Sequence, residues 1–314
     1  MSHFTVGVLG QMDNDFLKGL GNKGTINDIE FRNYRTDNDV VTYCAPKSEK
    51  VLSLMQIMGI IDFPVIVFDK PNSALGEAIL AVETMEFQVG ILCVSDQFGS
   101  ERAKKLIEGT SMESFDLLPM DQDSFKEHIL SPEFQDRIPR PDGPSKIPID
   151  NYFPVKSVGT VILGIIKRGN LGVYTKLSLY PEEREVLVKS IQCQDKDVRN
   201  ASTLQRVGLS LKGIKPDELK RGNIVAEKGS LIISKNIKFM LIRNNVLKDK
   251  ISVGDSFFVS VGLQSPVGKV SSIENGIVSM DLERDIAFDE HDRAIMALTT
   301  PKPPRIVGGG RIIV

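Results

Sequence analysis

This chain contains no tryptophan, and aromatic residues make up only 6% of it. Stacking successive bases on aromatic side chains is therefore excluded as its main way of holding a single strand. Cysteine is scarce too. Cys44, Cys93 and Cys193 lie far apart without metal-ligand spacing, which suits reduced, mostly buried thiols in a cytoplasmic protein. His3, His128 and His291 are isolated, so no metal site is expected. No Gly-x-Ser-x-Gly turn accompanies a His/Asp pair, which removes a hydrolase triad. The longest apolar runs, such as Phe63–Phe68 and Val161–Ile166, fall far short of the roughly 18 residues of a membrane span. The opening Met1-Ser2-His3-Phe4-Thr5 has no basic region followed by an apolar stretch, so no secretory signal is expected.

What is present is long enough for more than one core. With 314 residues, two or three domains are expected. The formal charge of −2 conceals an asymmetry: residues 1–146 carry 14 Lys+Arg against 23 Asp+Glu, and residues 147–314 carry 25 against 18. The basic C-terminal part fits contact with nucleic acid, whereas the acidic N-terminal part repels polyanions.

Residues 1–130 alternate Val/Ile-rich runs with helical patterns. Thr5–Leu9, Val40–Tyr43, Pro64–Phe68 and Val89–Val94 read as strands, while Glu49–Ile60 and Ser73–Phe87 repeat apolar residues at three- and four-residue spacing. That order predicts a mainly parallel sheet with helices on both faces. Residues 131–149 hold five prolines, Pro132, Pro139, Pro141, Pro144 and Pro148, and read as an extended linker. Beyond it, short alternating strands punctuated by glycine predict closed antiparallel barrels over 150–229 and 230–314. The strands of the second include Phe257–Gly262, Gly268–Ile273, Gly276–Leu282, Arg293–Leu298 and Arg305–Ile313. Gly308-Gly309-Gly310 invites a dinucleotide reading, but no helix follows to hold a pyrophosphate.

Six separate segments stand in order across about 80 residues. They are Ile147–Phe153, Gly159–Gly164, Val186–Gln192 with Asp195–Val198, Arg206–Leu209, Leu211–Ile214 and Glu218–Gly222. Together they resemble the second domain of elongation factor Tu, and most closely its selenocysteine-specific relatives. Arg305–Ile312 is similar to the last strand of the third domain in that family. The resemblance implies an α/β P-loop-GTPase-like domain followed by two antiparallel β-barrels of the elongation factor Tu domain 2 and domain 3 type. It points in particular to an archaeal branch with eroded nucleotide motifs.

The family's phosphate loop, Gly-x-x-x-x-Gly-Lys-Ser/Thr, corresponds to Gly10-Gln11-Met12-Asp13-Asn14-Asp15-Phe16-Leu17. Asp15, Phe16 and Leu17 thus stand where a phosphate cradle needs a free backbone, a cation and a magnesium-binding hydroxyl. The Asp-x-x-Gly-His element corresponds to Cys44-Ala45-Pro46-Lys47-Ser48. A thiol, Cys44, replaces the magnesium-organising acid, Lys47 the γ-phosphate-sensing glycine and Ser48 the water-positioning histidine. Ser95-Asp96-Gln97-Phe98 takes the place of the guanine-reading Asn-Lys-x-Asp. A carboxylate at about 4 Å from a phosphate charge costs on the order of 4 kcal/mol at an effective dielectric near 20. The expectation is a degenerate site with no bound cofactor, no metal and no GTPase activity.

By the same resemblance, Glu218 and Arg221 fall where the family's second barrel receives the 3′-terminal adenosine of a tRNA. A guanidinium suits phosphate and sugar oxygens there, and a flat carboxylate suits the adenine face. Spacing alone reads the two as a surface ion pair. Lys167, Arg168, Lys176, Lys189, Lys196, Arg199 and Lys212 are candidates for phosphate contacts. The leading expectation is an elongation-factor-like protein that binds tRNA or the ribosome without hydrolysing GTP. A partner translation factor is also compatible, but neither membrane nor DNA is. Two alternatives stand beside it: an active factor binding GTP and magnesium through non-standard residues, and a protein-interaction scaffold.

Overall fold

The computed structural model describes residues 2–10, 15–244, 247, 250–300 and 302–314, with Asp15 by its backbone alone. The N-terminal part runs β1 (Ser2–Leu9), α1 (Asp15–Leu20), β2 (Asn22–Ile26), β3 (Ile29–Arg35), β4 (Asp39–Pro46), α2 (Val51–Met58), β5 (Phe63–Phe68) and α3 (Ser73–Met85). It continues through β6 (Ile91–Val94), α4 (Ser100–Ile107), β7 (Asp116–Pro119), α5 (Gln122–Leu130) and α6 (Pro132–Gln135). The sheet order is β2-β3-β4-β1-β5-β6-β7. Strands β4, β1, β5, β6 and β7 are parallel, and β2 and β3 add an antiparallel edge.

Central strands of such a sheet are buried on both sides, which is why they read as unbroken apolar runs. In β5, Phe63, Val65 and Val67 face the core under α1, α5 and α6, while Ile66 and Phe68 face the core under α2, α3 and α4. Helices start where side chains satisfy free amides. Asn72 accepts from the Leu75 amide at 2.8 Å, and Asp121 accepts from that of Ser124 at 2.8 Å.

The Pro-rich stretch is not extended throughout. Ser131 caps α6, Pro132 fills the first helical turn, and Phe134 and Ile138 are buried in the α/β core. The first barrel strand already begins at Lys146. Proline at the first helical position forfeits no hydrogen bond, so this run of prolines permits a short helix that composition alone argues against.

Among the described residues, six antiparallel strands close each barrel. The first ring runs Lys146–Val155, Gly159–Ile165, Arg206–Lys212, Arg184–Cys193, Lys176–Tyr180 and Ile224–Ala226, then back to its start. The second runs Ile232–Met240, Ile277–Phe288, Val267–Glu274, Ser256–Val261, Arg293–Leu298 and Ile306–Ile313, and closes likewise. Each has its own apolar filling. A further core joins domains: Leu263, Ile295, Ala297 and Ile306 of the second barrel pack with buried residues of α2 and α3.

Candidate functional site

The nucleotide-site positions gather at the C-terminal ends of β1 and β4. Gly10 follows β1 directly, with φ +89°, a conformation that a side chain would strain. Its carbonyl accepts from Asn72 Nδ2 at 3.4 Å. Gln11–Asn14 and the Asp15 side chain lie outside the described residues. The next two positions are well placed: Phe16 is 3% exposed, Leu17 is fully buried, and both belong to the α/β core. The Phe16 ring meets Phe125 edge-on at 5.6 Å. Helix α1, only six residues long, turns these two side chains into the protein.

Cys44 is fully buried on β4, and burial pushes its thiol pKa well up. Gly10, Lys47 and Ser48 come together with Glu77 around a cavity of about 150 Å³. Glu77 is itself buried and paired with Arg305 of the second barrel at 2.6 Å. After β6, Ser95 and Asp96 border a cavity of about 370 Å³ with Gly99, Ser100, Leu117 and Pro119. Phe98, at the position of the family's last carboxylate, is buried edge-on against Phe68 with ring centroids 5.4 Å apart. Among the described residues no cluster of His, Cys, Asp or Glu has a metal-holding arrangement.

Glu218 and Arg221 are not paired with each other, contrary to the surface ion pair that their spacing suggested. Glu218 is exposed in a single helical turn. The Lys215 amide, donating at 2.7 Å, and then the Arg184 guanidinium hold its carboxyl below the usual range. Arg221 reaches across to Asp28, in the turn between β2 and β3, through Nη1. Its Nε and Nη2 are buried and find no partner among the described residues. Sequence reasoning missed Asp28 and Arg184, because neither belongs to a motif and both contacts bridge distant segments.

The basic candidates divide. Lys167 Nζ is held by Asp62 Oδ1 at 2.8 Å and by the Ile60 and Ile61 carbonyls. Arg168 is buried against Asp289 at 2.9 Å. Both are structural groups, which corrects their reading as phosphate contacts. Lys176 pairs on the surface with Glu185 at 3.1 Å, and Lys189 donates to the Val158 carbonyl at 3.3 Å. Lys196, Arg199 and Lys212 are exposed.

No family model matches the chain. It is 32% identical over 314 residues to an uncharacterized protein of Methanocaldococcus jannaschii, covering 99% of this chain and 100% of that one. It is also 31% identical over 192 residues to the selenocysteine-specific elongation factor of Methanocaldococcus jannaschii. That match takes in 54% of this chain and 41% of the factor. The whole chain superposes, at TM-score 0.85 and 22% identity, on translation elongation factor SelB from Methanococcus maripaludis in complex with the GTP analogue GppNHp, covering 79% of it.

Over its whole length the chain has the fold of that elongation factor, and over about half of its length it is similar in sequence to the selenocysteine-specific one. The shared architecture is an α/β domain followed by two barrels, but the chain spans less than half the length of the M. jannaschii selenocysteine-specific factor. Among the described residues no helix is long and apolar enough to cross a membrane.

Proposed function

We propose that this protein is an elongation-factor-like RNA-binding protein, acting on tRNA or the ribosome in the cytoplasm, whose nucleotide site no longer binds or hydrolyses GTP. The observation that carries the reading is the burial of Phe16 and Leu17. They stand where a phosphate site needs an ammonium and a hydroxyl, and both are committed to the apolar core. Phe98 supplies no carboxylate for guanine, and Cys44, kept a neutral thiol by burial, supplies none for magnesium. RNA binding is supported by the basic barrels and by the resemblance of Glu218 and Arg221 to the 3′-end pocket. Without a γ-phosphate to order a loop, cargo exchange is set by affinity or by a partner protein.

Calorimetry with a non-hydrolysable GTP analogue and magnesium tests the first half. No saturable binding tighter than about 100 μM is expected, and binding in that range refutes the reading. Filter binding of bulk tRNA tests the second. Retention that falls steeply with salt is expected, and no retention at low salt favours a protein-interaction scaffold. Equal affinities for charged tRNA in wild type, Glu218→Ala and Arg221→Ala remove the pocket assignment.

A further inference from the structure

The contacts between the α/β domain and the barrels include buried charged groups with several partners each. Asp62, with a side chain 2% exposed, accepts from the Thr5 amide of β1 at 2.7 Å through one oxygen and from Lys167 of the first barrel at 2.8 Å through the other. Lys167 Nζ spends its remaining donors on the Ile60 and Ile61 carbonyls, at 3.1 and 3.0 Å. At the other barrel, Glu77 of α3 takes the Arg305 amide at 2.8 Å and two guanidinium nitrogens at 2.9 and 2.6 Å. The same guanidinium reaches the Glu49 carbonyl at 2.6 Å. Both members of this pair are under 10% exposed.

Further ties spread the grip over the whole interface. Gln56 of α2 donates to the Leu263 carbonyl and to Ser265 Oγ, each at 3.2 Å. Arg293 pairs with Glu86, Arg221 pairs with Asp28, and the Arg206 guanidinium lies 4.4 Å over the Phe31 ring. Gly59 touches Gly262 so closely that a Cβ on Gly59 would stand 2.4 Å from the Gly262 Cα. The barrels are tied to each other as well: Lys146 and Arg168 of the first share Asp289 of the second, at 3.1 and 2.9 Å.

We infer that the three domains form one rigid clamp, in which the α/β domain is a fixed support for the barrels and not a moving part. Parting the surfaces breaks the Asp62–Lys167 and Glu77–Arg305 pairs together with the amide and carbonyl hydrogen bonds around them, trading each for hydration. It also re-exposes the apolar contact of Leu263, Ile295, Ala297 and Ile306 with α2 and α3. Hydration offsets the lost polar contacts but not the lost apolar burial, so the closed arrangement is favoured. This inference stands on the interface and is independent of what the barrels bind.

The test is a distance distribution by pulsed electron resonance on the full chain with Cys193→Ser. Spin labels are placed in the pairs Lys105→Cys with Ser157→Cys and Lys105→Cys with Lys269→Cys. One narrow peak per pair is expected, unchanged by GDP, by a GTP analogue with magnesium or by bulk tRNA. A second or displaced peak in any condition overturns the inference. Thermal unfolding of the unlabelled wild type supplies an independent arm. One cooperative transition supports the clamp, and separate melting of the α/β domain and the barrels overturns it.

Discussion

His3 shows how much a single residue's surroundings decide. It lies on β1, opposite Val40 of β4, and is 8% exposed. Burial pushes its pKa down to about 4 from the ordinary 6.5, with Arg35 acting in the same direction and Asp39 against it. The folded state therefore holds a neutral imidazole where the unfolded chain is already protonated. Stability is full above about pH 6.5, is lost as pH falls to about 4, and changes no further from this group below that. The loss is about 1–2 kcal/mol once solvent screening is discounted. Urea midpoints of wild type and His3→Gln between pH 7 and 4 test this; a variant with the same slope as wild type refutes it. Phe16 and Leu17 make the companion point about residues and motifs. The replaced phosphate-loop positions are readable in the sequence as lost charges, but their new role in the core becomes visible only once α1 is seen turning them inward.

At the scale of elements, the strands with unbroken apolar runs were legible because burial on both faces leaves no other pattern. Pro64–Phe68 and Val40–Tyr43 fall within β5 and β4, and Ser73–Phe87 contains α3. In the second barrel, Arg293–Leu298 agrees to the residue. The β2–β3 hairpin and α1 were not legible, since Asn22–Ile26 is short, polar and half-exposed at a sheet edge. The pairing of Arg221 with Asp28 was hidden for the same reason. Close approach between elements is also invisible in sequence, as Gly59 illustrates. Its φ of −81° suits any residue, so alanine there should stabilise the chain by reducing unfolded-state freedom. The Gly262 backbone reverses that sign, because a Cβ would meet it at 2.4 Å. Gly59→Ala is expected to lose about 1–3 kcal/mol through overpacking. Gly76→Ala, in α3 with open space around it, is expected to gain about 0.5–1 kcal/mol. Urea unfolding of the two variants decides it, and stabilisation by both disproves the close contact.

For the whole molecule, the proposed RNA binding has to be reconciled with a net charge of −2. The acidic α/β domain is fixed against the basic barrels, and the interface consumes part of the barrels' positive charge: Lys167 and Arg305 are neutralised by Asp62 and Glu77, while Arg168 is claimed by Asp289 between the barrels. RNA affinity must then rest on cations that no internal carboxylate has claimed, and Lys196, Arg199 and Lys212 are exposed on the first barrel. Each phosphate neutralised releases counterions and steepens the fall of log K with log salt by about 0.7–0.9. Replacing all three by alanine is therefore expected to flatten that slope by about 2–3 while leaving the unfolding midpoint nearly unchanged. Lys167→Ala should do the reverse, lowering the midpoint because Asp62 is left buried and unpaired, with little change in slope. Filter binding of tRNA across salt concentrations, run beside urea unfolding, separates the two classes. An unchanged slope in the triple variant would move the RNA surface elsewhere, and a flattened slope in Lys167→Ala would mean that the interface opens when RNA binds.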